Sequence, residues 1–212
     1  MEAPRTRNPR GQGERLRTAL IDAAIEVLNE VQDVSALSVR AVTARAGVSP
    51  TALYLHFADK DELVGAVKER CFAELRRYLL AAETAAAQDA REQATAMCLA
   101  YLQFSSDLPG YYRVLFHIVR PSLGPSADEE EAREVAAGER FVNWPSQAAE
   151  AFGDLVRAVG RCLPDDRDPF ETATLVWAAL HGLAGLRRMH RFPFPPVERL
   201  VELLLDAHLG SA

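Results

Sequence analysis

Residues 38–57 read SVRAVTARAGVSPTALYLHF, and the punctuation inside them predicts two short helices joined by a tight turn. Ser38 is of the type that caps a helix by accepting from its first free N–H groups. Gly47 closes that helix, because only glycine takes φ > 0 without penalty. Ser49 and Pro50 supply a second cap and a first-turn proline, which opens the next helix. Leu53 and Phe57, four apart, face inward, leaving Thr51, Tyr54 and His56 on other faces. Two short helices on a glycine turn have the geometry that lays a helix into a DNA major groove.

On the N-terminal side, apolar residues Leu16, Leu20, Ala24, Val27, Leu28 and Val31 form one stripe of a helix over 14–30. On the C-terminal side, Asp59 with Glu62 three residues on nearly matches a capping box and opens a long helix to about residue 82. Its stripe is Leu63, Val67, Phe72, Leu75, Tyr78 and Leu79. Further helices are expected over 84–106, 111–119 and about 145–163. Asp168-Pro169-Phe170-Glu171 caps another, running to about residue 189, and 197–209 forms the last. Residues 121–139, with an acidic run at 128–131, read as a loop. No charge interrupts 172–186, so that helix is expected to be buried nearly all round. Helix formers dominate and hairpin signals are missing, so the fold class is all-α.

A chain of 212 residues with 49% hydrophobic side chains builds a sizeable core, most naturally in two packed units. Its net charge of −6 is unevenly placed. Residues 1–60 hold eight basic against seven acidic side chains, which leaves −7 on residues 61–212. Within residues 1–20 five arginines face two glutamates, so the basic character sits beside the two short helices. Arg5, Arg7 and Arg10 suit an arm entering a minor groove, or equally a solvated tail. The acidic remainder argues against coating nucleic acid along the whole length.

Cys71, Cys98 and Cys162 are odd in number and far apart, without a CxxC or Cys/His cluster, so reduced thiols are expected and no metal site. His117, His190 and His208 show no metal spacing either. No apolar segment follows the N-terminal charges, and 172–186 is shorter than the ~20 residues of a spanning helix. A cytoplasmic protein with no membrane association and no cofactor is the expectation.

The residues from Ser38 to Ser49, followed by Leu53-Tyr54-Leu55-His56-Phe57 and Lys60, strongly resemble the DNA-binding region of the TetR family of bacterial transcriptional repressors. The likeness is dense over 14–65. Val176-Trp177-Ala178-Ala179-Leu180-His181-Gly182-Leu183 is similar to the Trp-His-Gly signature of one TetR-type ligand-binding class. The resemblance implies a flexible basic arm (1–13), a three-helix helix-turn-helix domain (14–60) and a C-terminal ligand-binding and dimerisation domain (61–212). It implies a homodimer that binds double-stranded operator DNA and releases it when a small hydrophobic effector occupies each C-terminal core. Carried over to this chain, Arg40, Thr51 and Ala52 sit at base-facing positions, Ala52 offering only a methyl. Tyr54, His56 and Lys60 match phosphate-contacting positions, and Ser49 caps the recognition helix.

Tyr101, Phe104, Tyr111, Phe116, Phe141, Trp144 and Phe152 make an aromatic-rich middle that suits an apolar pocket and suits a plain core equally. Tyr101, Phe104, Phe116, Phe152, Trp177 and His181 are the candidate ligand contacts. A buried His181 requires a partner, and a satisfied core histidine is its other reading. Gly182 either lines that pocket or permits close helix approach between subunits. Two other functions compete: an all-α enzyme acting on a small hydrophobic molecule, and a DNA-binding architectural protein without an effector. No nucleophilic triad, phosphate loop or paired-carboxylate site can be placed.

Overall fold

Five side chains start helices. Ser38 accepts from the Ala41 amide at 3.0 Å, Ser49 from Ala52 at 3.3 Å, and Asp59 from Glu62 at 2.8 Å. Asp89 accepts from Glu92 at 2.9 Å and Asp168 from Phe170 at 2.8 Å. Each contact satisfies an N–H that the helix cannot bond internally. The computed structural model describes residues 12–31, 37–116, 146–188 and 193–210. Among the described residues every regular element is a helix: α1 (Gln12–Val31), α2 (Val39–Arg45), α3 (Pro50–Tyr54), α4 (Lys60–Ala85), α5 (Ala90–Asp107), α6 (Pro109–Phe116), α7 (Ser146–Gly160), α8 (Pro169–Arg187) and α9 (Val197–Leu209). Residues 1–11 of the expected basic arm (1–13), the 121–139 loop, Phe141, Trp144, His117 and His190 lie outside the described residues, whereas Gln12 and Gly13 already belong to α1.

The helix-turn-helix packs as its spacing requires. Gly47 adopts φ 70°, and Leu53 and Phe57 are both buried against Leu20, Val42 and Leu63. Each fully buried side chain of this size stabilises the fold by about 1.5–3 kcal/mol over exposure. Arg17 lies over the Phe57 ring at 5.1 Å. Arg45 anchors α2 to α1, forking onto Glu26 at 3.0 Å and Glu30 at 2.7 Å; the Glu30 hydrogen bond, the first cause, raises its guanidinium pKa.

α4 is the axis of the molecule. Leu63, Val67, Cys71, Leu75 and Leu79 recur every fourth residue and are all buried, so one face runs from the head into the C-terminal helices. One contiguous apolar cluster joins α1 to α9 through it, and a smaller one gathers Phe152, Leu155, Val159 and Ala173. α6 touches the head as well: a side chain at Gly110 would overlap the Asn29 carboxamide on α1, so glycine is required by close approach.

Three expectations need correction. The helix expected from residue 84 begins at Ala90, after α4 has ended at Ala85. Ala-rich sequence continues a helix pattern through that gap, and only Asp89 marks the new start. α8 is not buried all round in the single chain. Thr172, Ala173, Val176, Leu180 and Ala184 face inward, while Leu175 and Leu186 are exposed. Gly182 is exposed and does not line the cavity; among the described residues no atom lies within 4 Å of a side chain added there.

Candidate nucleic-acid interface and effector cavity

The caps leave α2 and α3 with defined outward faces. Arg40, Ser49, Thr51 and Tyr54 are exposed, and Ala52, His56 and Lys60 are half-buried. Ser49 spends its hydroxyl oxygen on the Ala52 amide. Tyr54 is 54% exposed and Leu55, which the sequence reading passed over, is 78% exposed. Leu55 could have been singled out from its place between the inward residues Leu53 and Phe57. The two arginines of α2 diverge: Arg45 is tied to α1, whereas Arg40 is exposed. Lys60 is the first residue of α4, whose start is locked in both directions. Glu62 accepts from the Ala58 amide at 2.6 Å while its own amide donates to Asp59.

Between α4 and α7 lies a cavity of about 250 Å³. Lys68, Phe72, Leu75 and Leu79 form the α4 wall, and Ala148, Ala151, Phe152 and Leu155 the α7 wall. Met97 and Tyr101 of α5, Leu115 and Phe116 of α6, and Trp177 and Leu180 of α8 complete it. Of the candidate ligand contacts, Tyr101, Phe116, Phe152 and Trp177 are therefore brought together. Phe104 is not; it packs edge-on against Tyr78 at 5.5 Å. His181 is not on the wall either. Its Nδ1 meets the Tyr112 hydroxyl at 2.7 Å and the Tyr101 hydroxyl at 3.3 Å. An imidazole held by two phenols is a satisfied interior histidine, and it positions Tyr101 from behind. Burial, more than the neighbouring Tyr112, pushes the Tyr101 phenol pKa up, so the group stays a neutral hydroxyl.

The α4–α7 seam outside the cavity is polar at every turn. Glu69 accepts from the Ser146 and Gln147 amides at 2.7 and 2.9 Å, capping α7. Arg76 donates to Asp154 at 2.6 Å and pairs with Glu150. Arg161 pairs with Glu83 at 2.6 Å. No group of metal-ligating side chains occurs among the described residues, and no described helix is long and apolar enough to cross a membrane.

An all-α chain with an exposed helix-turn-helix above a helical cavity defines a class of protein, and comparison with known proteins gives the family. The profile of the tetR family of bacterial regulatory proteins matches residues 20–67, and that of the tetracyclin repressor-like C-terminal domain matches 94–208. The chain belongs to the TetR family. The Trp-His-Gly subclass is not established by these matches. An uncharacterized HTH-type transcriptional regulator of Haemophilus influenzae is 48% identical over 52 residues, which are 24% of this chain and 25% of that protein. This chain thus spans about a quarter of the length of that relative. A protein of unknown function from Rhodococcus sp. RHA1 shares the fold at TM-score 0.68 and 24% identity, over 96% of this chain and 97% of its own. A TetR family protein from Vibrio parahaemolyticus does so at TM-score 0.64 and 17% identity, over 90% and 97%.

Proposed function

We propose that this protein is a homodimeric transcriptional repressor that binds operator DNA through α2 and α3 and releases it when a small hydrophobic molecule enters the cavity. The observation that carries this reading is that two walls of the cavity also hold the head. α4 runs from Lys60, at the head, to Phe72 and Leu79 in the cavity. α6 abuts α1 at Gly110–Asn29 and presents Leu115 and Phe116 to the same cavity. A ligand that fits one arrangement of α4 and α6 shifts the spacing of two heads away from successive major grooves, ~34–36 Å apart.

In this reading the chain divides into a basic arm (1–13), a head (14–60) and an effector-binding and dimerisation unit (61–212), acting in the cytoplasm. Arg40, Thr51 and Ala52 meet base edges. Tyr54, His56 and Lys60 meet phosphates, Ser49 sets the helix start, and the exposed Leu55 adds apolar contact beside Tyr54. Tyr101, Phe116, Phe152 and Trp177 surround the effector. Membership in a family of regulatory proteins favours regulation over catalysis on the same small molecule.

A gel-shift assay on DNA from immediately upstream of the coding sequence tests the proposal. A discrete complex, competed by the same duplex and dissolved by hydrophobic molecules that also raise the melting temperature, is the expected result. A complex competed equally by any DNA, or turnover of a cavity ligand without DNA binding, would refute it.

A further inference from the structure

We propose that the chain carries a second binding site, for a small oxyanion of the carboxylate or phosphate class, in the cavity where the end of α8 meets the α5–α6 turn. This cavity has a volume of about 290 Å³. It is lined by Ser105 and Ser106 of α5, Pro109 of α6, and Ala184, Arg187 and Arg188 at the end of α8. None of these residues lines the α4–α7 cavity.

A charge left uncompensated points to an anion. Burying part of a guanidinium is costly unless a negative group offsets it. In the C-terminal helices the half-buried Arg76 and Arg91 have such partners, Asp154 and Asp206. Arg188 is half-buried as well. Among the described residues no carboxylate pairs with it, with the adjacent Arg187, or with the nearby Arg113. Burial first, with Arg113 adding to it, lowers the Arg188 pKa, while Tyr112 opposes the shift.

The Arg188 guanidinium is nevertheless fixed in place. Its Nη2 donates to the Pro109 carbonyl at 2.9 Å, and its central carbon lies 5.1 Å from the centre of the Tyr112 ring. A guanidinium carries five N–H donors, so one bond to a neutral carbonyl leaves most of the fork for another acceptor. Ser105 and Ser106 donate their hydroxyls to the Leu102 carbonyl at 2.7 and 3.2 Å, which leaves the arginines as the donors. A held planar fork beside a second cation suits an acid group that offers two oxygens, met by parallel N–H···O bonds. A dry void of ~150 Å³ takes a benzene ring, so the acid group and a short body fit here.

Position argues against a DNA phosphate as the occupant. α1 starts beside His56, where a side chain at Gly13 would stand 3.7 Å from the imidazole. Asn29 lies sixteen residues further along the same helix, or ~24 Å at 1.5 Å per residue. The cavity adjoins that far end: Gly110 abuts Asn29, and Arg113 donates to the Asn29 carbonyl at 3.4 Å. An anion held there sits at the joint of α8 and α6, and α6 is the helix that touches the head.

Calorimetric titration of the full chain at constant ionic strength, with inorganic phosphate, succinate and chloride, tests the site independently of DNA and of the α4–α7 cavity. Wild type should bind one phosphate or one succinate per chain with a Kd of about 1 mM, and chloride should give no saturable heat. The tighter of the two acids tells phosphate from carboxylate chemistry. Arg187→Glu places a carboxylate beside Arg188 and should weaken both acids at least about tenfold. Arg187 is exposed, so the variant's melting temperature in chloride should not fall. Arg188→Lys keeps the charge without the fork and should also weaken binding. Phosphate and succinate heats no different from chloride, or binding unchanged by Arg187→Glu, would overturn the site. Displacement of bound phosphate by an unrelated DNA duplex would make DNA the occupant and overturn the small-anion assignment.

Discussion

Arg76 on α4 donates through Nε to Asp154 on α7 at 2.6 Å, and Asp154 is only 3% exposed. The same carboxylate accepts from Arg157 at 2.5 Å, so a buried charge is held between two guanidinium groups that reach solvent. The partners are unequal in what their loss leaves behind. Arg76→Met strands a carboxylate inside with Arg157 alone, and should destabilise the fold by about 3 kcal/mol. Asp154→Ala leaves Arg76 paired with Glu150 and releases Arg157 to water, and should be milder, although it removes the same contact. Urea unfolding of the two variants decides the order. If Asp154→Ala proves the worse, the pair does not work through the desolvated carboxylate.

DNA binding should separate into position and sequence. Lys60→Ala should weaken binding to all duplexes about equally, and lower the slope of log K against log salt by ~1 per monomer. Arg40→Ala should instead relax preference at one operator position, at ~1–3 kcal/mol for a bidentate guanine contact. Arg45→Ala is the control within the same helix. Its side chain is committed to Glu26 and Glu30, so it should lower stability with the salt slope unchanged. Fluorescence anisotropy across a salt series on operator and scrambled duplexes measures all three. An unaltered slope for Lys60→Ala, with changed base preference, would make Lys60 a base reader.

Much of the head was readable from sequence because its signals are local. Ser38, Gly47, Ser49-Pro50 and Asp59 each act within one turn of their own position, and each does in the fold what its type predicts. The gap between α4 and α5 was placed too early, and made too narrow, for the opposite reason. Residues 81–88 are mostly alanine, with no proline or glycine to stop a helix. The cavity was half-readable. Tyr101 and Phe104 are three apart on one helix and both aromatic, yet one lines the cavity and the other packs on Tyr78. Which neighbour each side chain meets is set by how α5 packs on α4, through contacts far apart in sequence. Lys68 was passed over because a lysine beside Val67 reads as the solvated edge of an apolar stripe.

The buried thiols make stability depend on alkaline pH. Burial pushes Cys71 and Cys98 up to about 12, whereas an unfolded thiol titrates near 8.5. Above that value the unfolded chain loses protons that the folded chain keeps, so stability falls as pH rises. The loss approaches ~1.4 kcal/mol per pH unit for each thiol between the unfolded and folded values. Below pH 8 the two cysteines should contribute no pH dependence. Urea midpoints from pH 8 to 10.5 should therefore fall more steeply for wild type than for a Cys71→Ala, Cys98→Ala variant, despite the variant's lower stability at neutral pH. Parallel slopes would rule the thiols out as the cause.

The uncovered side of α8 predicts how two chains meet. Leu175 at 56% and Leu186 at 44% exposure flank Gly182, and Leu203 on the adjoining α9 is 48% exposed. Val201 and Leu205 of α9 are already buried in their own chain, which leaves the α8 face to find a partner. The same face on a second copy is the simplest match, since a two-fold contact joins identical patches. Gly182 then sits where helices approach most closely, and no atom of the described residues lies within 4 Å of a side chain added there. Gly182→Glu should consequently leave the monomer folded while placing two carboxylates against each other at the seam. Light scattering at micromolar concentration should give a dimer mass for wild type and a monomer mass for the variant, with matching circular dichroism. A dimer that tolerates the glutamate, or a wild-type monomer, would put the partner surface elsewhere. DNA binding supplies the second readout: with one head per particle, the variant should lose most of its operator affinity while retaining the weak binding of a single head.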